Sequence, residues 1–393
     1  MSTSKSQSKV AQPKTQTSAK NEQIQAQLDY FATHQNLDFP FAFQINSGQI
    51  SHKSLDKKND KNYVENSQTN SVKISNNSQN DLENSLENNS KTSKHLVFVA
   101  ALHGNEPAGV EAIIRFHQHF VSKNLKLKHG KITFVLGSPE SFAGGVRFID
   151  QNLNRAFGSF IDNYETNRAK EFKTFFQNEP PDCLLDFHSV SRGDFKVVIF
   201  QDQKSQEFAK KISSLEIHFL PHVEHLPGSL MQLASSFGSL AIALECGNHT
   251  SPTAPDIALF HLQKTLEHFE MLDSKDFLPV EIENSQNQIF YQTLSIIKPQ
   301  LNFKFVNPEA TTGTFVKKGE TFATFQKPEE TLEQTLEKAL EESQKFEQKN
   351  EQLSDKTGQN SYTANSDCFL MMPDHNPNVT DFDAGFLCSR EQL

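Results

Sequence analysis

"VFVAALHGNEPAGVEAIIRF", residues 97–116, contains an apolar run, a polar break at His103 and Glu106, and an amphipathic segment. The run has the continuous apolar character of a strand covered on both faces, and the segment after it has the spacing of a helix. The polar break therefore falls on the loop leaving a strand. Read alone, "HGNE" is either half of a metal site or an ordinary turn between strand and helix.

The same texture recurs after the break. "KITFVLG" (131–137), "CLLDFHS" (183–189), "KVVIF" (196–200), "LEIHFL" (215–220) and "SLAIALECG" (239–247) are short apolar runs with β-branched or aromatic content. Helical patterns such as "AGVEAIIRFHQHFVSK" and "PDIALFHLQKTLEHFEML" lie between several of them. Alternating strands and helices predict an α/β domain over residues 95–275 with a largely parallel or mixed sheet.

Outside that region the composition shifts. Of the 393 residues only 36% are hydrophobic, and the deficit is local. Residues 1–22 read as a disordered tail and residues 23–50 as a preamble to the α/β domain. Residues 51–94 read as a low-complexity insertion rich in Asn, Ser, Lys and Asp, with too little apolar surface to offset the entropy of ordering. Residues 276–393 read as a smaller β-rich domain, interrupted at about 326–365 by a charged helix with Leu332, Leu336 and Leu340 on one stripe. Within it, "PEATTGTFVKKGETFATF" (308–325) is expected to be a hairpin turning at residues 317–320.

Composition also bounds the function. A net charge of −10 without a basic block argues against nucleic acid as a partner. Cys183, Cys246, Cys368 and Cys388 form no C-x-x-C pair, which fits a reducing compartment. No apolar run reaches the roughly 20 residues that span a bilayer, and the first residues lack the apolar core of a secretory signal. The expectation is a cytoplasmic protein with a small-molecule substrate and neither a membrane nor a nucleic-acid partner.

Ligands of open α/β sheets bind at the carboxyl ends of the strands. Besides "HGNE", three polar clusters fall at such ends. "LLDFHSVSRG" (184–193) brings His188, and His103, Glu106 and His188 make the His₂Glu set typical of catalytic zinc. Asp186, two residues before His188 on the same side of a strand, could orient that ring. "AIALECGNH" (241–249) ends an apolar strand with Glu245, a carboxylate costly to bury without a partner or a task. In a zinc hydrolase the task is to take a proton from water and deliver it to the leaving amine. Cys246 beside it has no charge context for a nucleophile. "GGVRFIDQNLNRAF" (144–157) puts Arg147, Asn154 and Arg155 in one loop, suited to grip a carboxylate and polarise a carbonyl, or to be stitched together by contacts to Asp150.

In this order the four clusters resemble the succinylglutamate desuccinylase/aspartoacylase family of the zinc carboxypeptidase superfamily, over roughly residues 97–269. The resemblance implies a zinc-carboxypeptidase-like sheet flanked by helices, with a smaller carboxyl-terminal β domain. It implies one Zn2+ per chain held by His103, Glu106 and His188, and Glu245 as general base and acid. Arg147 falls on the residue that polarises the carbonyl, and Asn154 and Arg155 fall on the pair that binds the substrate carboxylate. "DFHSVSRGDF" is similar to the desuccinylase pattern "DLHTAIRGS", which nominates Arg192 as a further carboxylate contact. "HLPGSLMQLASSFGSLAIALECG" also resembles that branch, and "NVTDFDAGFLC" lacks the tyrosine that aspartoacylases place there. Asn152 stands where close relatives can carry aspartate, which bears on metal affinity.

The implied reaction is hydrolysis of an N-acyl amino acid by zinc-activated water, with N-succinylglutamate, a substrate of arginine catabolism, as the first choice. Another N-acyl amino acid, as in aspartoacylases, is the nearest alternative. A metallocarboxypeptidase would use the same site with an open cleft, and a non-catalytic binding protein would keep the fold without turnover.

Overall fold

The computed structural model describes residues 14–47, 93–213, 215, 217–221, 228–282, 288–326, 353–354, 359–373, 377 and 385–392. The expected insertion at 51–94, apart from its last two residues, lies outside them, as does most of the charged helix expected at about 326–365, whose described end holds strands at Leu353–Ser354 and Gln359–Thr363 in place of helix.

The fold is built around strand β2 (His95–Ala100), all of which is buried. It is flanked by the parallel strands β3 (Lys131–Leu136) and β4 (Cys183–Val190). Burial on both faces is what the uninterrupted apolar runs demand. Successive side chains leave β2 on opposite faces. Phe98 and Ala100 enter one core, with Phe134 and Phe187, while Val97 and Val99 enter the other, with Leu184 and Ala241. The Phe98 ring stacks between those of Phe134 and Phe187, at centroid distances of 5.7 and 6.1 Å.

Helix α1 (Lys14–His34) leads into β1 (Ala42–Asn46), which pairs antiparallel with β3 at the sheet edge. The helix begins at Lys14, inside the segment expected to be a tail. Its later turns are anchored where Leu28 and Phe31 join the core, which a local reading of a polar stretch cannot register. Helix α2 (Ala108–Ser122) follows β2 and packs beside α7 (Ala254–His268) on the first core. A Cβ on Gly109 of α2 would lie 2.5 Å from the Phe187 Cβ, so helix and sheet meet at a distance only glycine allows.

On the other face lie α4 (Tyr164–Asn178) and α6 (Leu230–Ser236), and between them in the chain α5 (Gln203–Ile212) returns to the first core. Arg168 of α4 is buried against Phe39, 4.4 Å from the ring centroid. Its guanidinium donates to the carbonyls of Gly137, Leu136 and Pro40, which satisfies a buried charge and ties the end of β3 to the start of β1.

Strands β5 (Lys196–Ile199), β6 (Ile217–Leu220) and β7 (Leu240–Asn248) complete the expected set. The sheet continues through β8 (Ile289–Ile296), β15 (Phe386–Gln392), β14 (Cys368–Met371) and β10 (Phe315–Val316). Among the described residues it has eleven strands in the order β1-β3-β2-β4-β7-β5-β6-β8-β15-β14-β10, and it is mixed. Strands of the carboxyl-terminal region therefore extend the main sheet. A smaller sheet holds β12 (Leu353–Ser354), β13 (Gln359–Thr363), β11 (Thr321–Gln326) and β9 (Lys304–Phe305) around its own core.

The expected hairpin at 308–325 is not one. Its turn exists, with Glu320 N–H donating to the Lys317 carbonyl. But β10 pairs with β14 and β11 pairs with β9 and β13, so the turn is a corner between two sheets. Contacts from Gly319 N to the Ala364 carbonyl and from Lys318 N to Asp367 hold the corner against a distant part of the chain. Strand pairing at that separation has no local signal.

Candidate active site

From β2 the chain reaches its neighbours on opposite sides, first β3 and later β4, so a crevice opens at the carboxyl ends of β2 and β4. "HGNE" leaves β2 there, and His188 sits near the end of β4. Glu245 of β7 is the cross-strand partner of His188. The three clusters are thus neighbours because three adjacent parallel strands end together. Gly104 is required in the first loop, because a Cβ would lie 2.1 Å from the backbone of Ser141 in α3 (Pro139–Gly144).

His103, Glu106 and His188 are buried, with one ligand atom of each within 4.8 Å of the others. Glu106 sits between the rings. Its Oε1 is 2.8 Å from His103 Nδ1 and its Oε2 is 2.9 Å from His188 Nδ1. Behind the rings, His103 Nε2 donates to Asn152 Oδ1 at 2.9 Å, and His188 Nε2 to Asp186 Oδ2 at 2.8 Å. With the outer Nε2 hydrogen kept, each ring would turn an Nδ1 lone pair toward a cation held beside Glu106. Two imidazoles with outer acceptors and one carboxylate are a donor set that fits zinc, and the fit lies in the orientation of the rings as well as in residue type.

The electrostatics agree. Burial lowers the His103 pKa to about 4, aided by Arg147, so that ring stays neutral as a ligand must be. Burial opposes charge on His188 too, but Asp186 and Glu106 outweigh it and raise its pKa well above the usual value. A cation in the cluster would compensate the same two carboxylates. Burial opposes ionisation of Glu106, yet His103 and His188 hold its pKa well below the usual carboxylate range.

Glu245 is buried, and its Oε2 has no hydrogen-bond partner. Burial raises its pKa to about 7, with His188 opposing and Glu106 reinforcing the shift. An unsatisfied carboxylate oxygen beside the cluster matches a group with a task rather than one that leaves the core to pair with a surface base. Cys246 next to it is fully buried and its thiol pKa is raised well above the usual value, as for an inert core thiol.

Arg147 reaches the cluster from an exposed position, and its Nη1 donates to Glu106 Oε1 at 3.2 Å. Asn154 and Arg155 lie in a short 3₁₀ turn (Leu153–Arg155) capped by Asn152, whose Oδ1 also accepts from Asn154 N at 2.8 Å. Asn154 Oδ1 accepts from Leu230 N at the start of α6, and Arg155 Nη1 donates to the Asn154 carbonyl. Arg192 is exposed in the loop after β4, and no bond from it to the cluster is described.

His249, four residues beyond Glu245, escaped the sequence reading. Its Nδ1 lies 2.8 Å from Ser189 Oγ and its Nε2 3.4 Å from Asn105 Nδ2. It thus joins the residues next to His188 and Glu106. A histidine just past a strand that ends in a buried carboxylate was the available signal. Gly247, with φ of +101°, makes the turn that carries the chain there.

Comparison with known proteins follows the same boundaries. The family described as succinylglutamate desuccinylase/aspartoacylase catalytic domain matches residues 92–272. Succinylglutamate desuccinylase of Shewanella pealeana is 35% identical over 263 residues, covering 60% of this chain and 72% of the relative. A "Probable aspartoacylase" of Prochlorococcus marinus is 36% identical over 124 residues, 30% of this chain and only 40% of that protein's length. Among solved structures, succinylglutamate desuccinylase of Vibrio parahaemolyticus superposes with a TM-score of 0.54 at 16% identity, covering 77% of this chain and 83% of that one. The structural likeness establishes the fold. The relative from Shewanella pealeana, 35% identical and covered over 72% of its length, places this chain in the succinylglutamate desuccinylase/aspartoacylase family.

Proposed function

We propose that the chain hydrolyses the amide bond of an N-acyl amino acid, and that N-succinylglutamate is the substrate it prefers. The observation that carries this reading is the convergence of His103, Glu106 and His188 with the buried, unsatisfied Glu245 one strand away. Zinc bound by His103, Glu106 and His188 would supply Lewis acidity to the acyl carbonyl and lower the pKa of a water molecule toward neutrality.

Glu245 takes the proton of the attacking water and passes it to the departing amine nitrogen. A carboxyl held near neutrality by burial serves both directions. Arg147, already donating into the cluster, stabilises the negative charge that develops on the carbonyl oxygen. Arg155 and the Nδ2 end of Asn154 hold a substrate carboxylate, the Oδ1 end being committed to Leu230 N. Arg192 contacts a second carboxylate, which a dicarboxylic acyl group provides. Residues 95–275 carry the catalytic groups, and strands from beyond residue 276 extend the same sheet. An aspartoacylase-like substrate is the second reading, supported by the match to the Prochlorococcus marinus protein.

The test is a release assay with N-succinylglutamate, N-acetylaspartate, other acetyl- and formyl-amino acids, and a short peptide. Fastest turnover of N-succinylglutamate is expected. Preference for N-acetylaspartate moves the assignment to the aspartoacylase branch, and cleavage of the peptide alone overturns the reading in favour of a carboxypeptidase.

A further inference from the structure

The loop that bears Arg147, Asn152, Asn154 and Arg155 is held from behind by a carboxylate that the chemistry above does not use. Glu165, in the first turn of α4, is fully buried. Its Oε1 accepts from Ile149 N at 2.7 Å, and its Oε2 from Asp150 N at 3.1 Å and Gln151 N at 3.2 Å. Three successive backbone amides thus converge on one buried charge. Ionised carboxylates accept such bonds strongly, and the helix amino terminus adds a favourable field.

These three amides lie between the two residues of the loop that touch the metal cluster. On one side Arg147 donates to Glu106, and its carbonyl accepts from Gly104 N at 3.1 Å. On the other, Asn152 receives His103 Nε2. Ile149 and Asp150 are exposed, so the loop has little apolar packing of its own at this point. Two further ties run to the same helix start: Tyr164 N donates to Asp150 Oδ2 at 3.0 Å, and Gln151 Nε2 to Asn163 Oδ1 at 3.1 Å. Asp150, expected to stitch the loop to an arginine, accepts from Tyr164 N at the helix start, and it is Glu165 that gathers the loop amides.

We propose that Glu165 is a positioning residue for hydrolysis, setting through the amides of residues 149–151 where Arg147 and Asn152 stand relative to the metal cluster. The proposal rests on the role given to Arg147 above. Glutamine in its place keeps the size but turns one oxygen into a donor that faces a backbone N–H, so at least one of the three bonds is lost.

The test compares zinc-loaded wild type, Glu165→Gln, Arg147→Ala and the double variant. The readouts are kcat and KM for N-succinylglutamate per zinc-bearing site, zinc affinity by chelator competition, and Tm. Glu165→Gln is expected to lower kcat/KM about hundredfold, the effect of misplacing a reacting group by an ångström. On the Arg147→Ala background it should cost less than about threefold, because the group it positions is already gone. Zinc affinity should fall about tenfold, through the loosened Asn152 contact to His103. A lower Tm with unchanged kcat, KM and zinc affinity overturns the proposal, as do equal costs in both backgrounds. If wild type turns over no N-acyl amino acid, the functional reading fails and zinc affinity alone decides the role of Glu165. Should Glu165→Gln not fold, Glu165→Asp, which keeps the charge on a shorter arm, is measured the same way, with a smaller loss in both readouts expected and no loss contradicting the proposal.

Discussion

The two halves of the candidate site are built by opposite means. His103, Glu106 and His188 are buried at the ends of core strands, and each imidazole is aimed by an acceptor behind it. Arg147 and Arg192 stand exposed on loops, and Arg147 is aimed only through a loop that Glu165 and the "HGNE" backbone hold in place. The first half inherits its geometry from hydrophobic packing on both faces of the sheet. The second depends on a few hydrogen bonds, each modest alone. Chemistry common to a family suits the rigid half, and substrate choice suits the half that can be altered without disturbing the core.

Substitutions can separate the halves. Glu245→Gln should lower kcat by about 10²–10⁴-fold while zinc stays bound, as removal of a general base does. Full activity in a zinc-loaded variant would show that Glu245 is not the base. Arg147→Ala should cost about 10²–10³-fold in kcat/KM, with little change in zinc content, as loss of an oxyanion donor does. A parallel loss of zinc would mean that Arg147 belongs to the rigid half. Asp186→Asn should weaken zinc binding about 10–100-fold, because an amide holds the His188 N–H less firmly than a carboxylate. An unchanged dissociation constant would break the assignment of His188 as a ligand aimed from behind.

A separate effect concerns stability, through two histidines buried on β6 and α7. His218 and His261 are buried, and burial lowers each pKa from 6.5 to about 4. Both are therefore neutral in the fold, while the unfolded chain takes up their protons below about pH 6.5. Stability from this source is complete above that pH and falls as the pH drops toward 4, by up to ~1.4 kcal/mol per pH unit for each ring. Thermal melts of metal-stripped protein between pH 7.5 and 5 should show the fall, and His261→Gln should flatten it. Equal slopes in both proteins would mean that His261 takes no part.

Much of the rigid half was legible in the sequence. Continuous apolar runs become buried strands wherever the chain has helices to cover both faces, and the polar residues at their ends then have one place to go. The rim was less legible. Glu165 reads as an ordinary first-turn glutamate, and nothing local shows that three amides from residues 149–151 will fold back onto it. His249 likewise gains meaning only once β4 and β7 lie side by side. The corner at Lys317 was misread as a hairpin because turn chemistry is local, whereas the partners of β10 and β11 are supplied by β14 and β13.

The central claim is that two histidines and one glutamate form a single metal site. Zinc content per folded chain, measured after exhaustive dialysis on wild type and Glu106→Ala, tests it directly. One zinc per wild-type chain and none on the variant is expected, with both proteins folded. Wild type without zinc, or a variant that keeps it, would contradict the assignment of His103, Glu106 and His188.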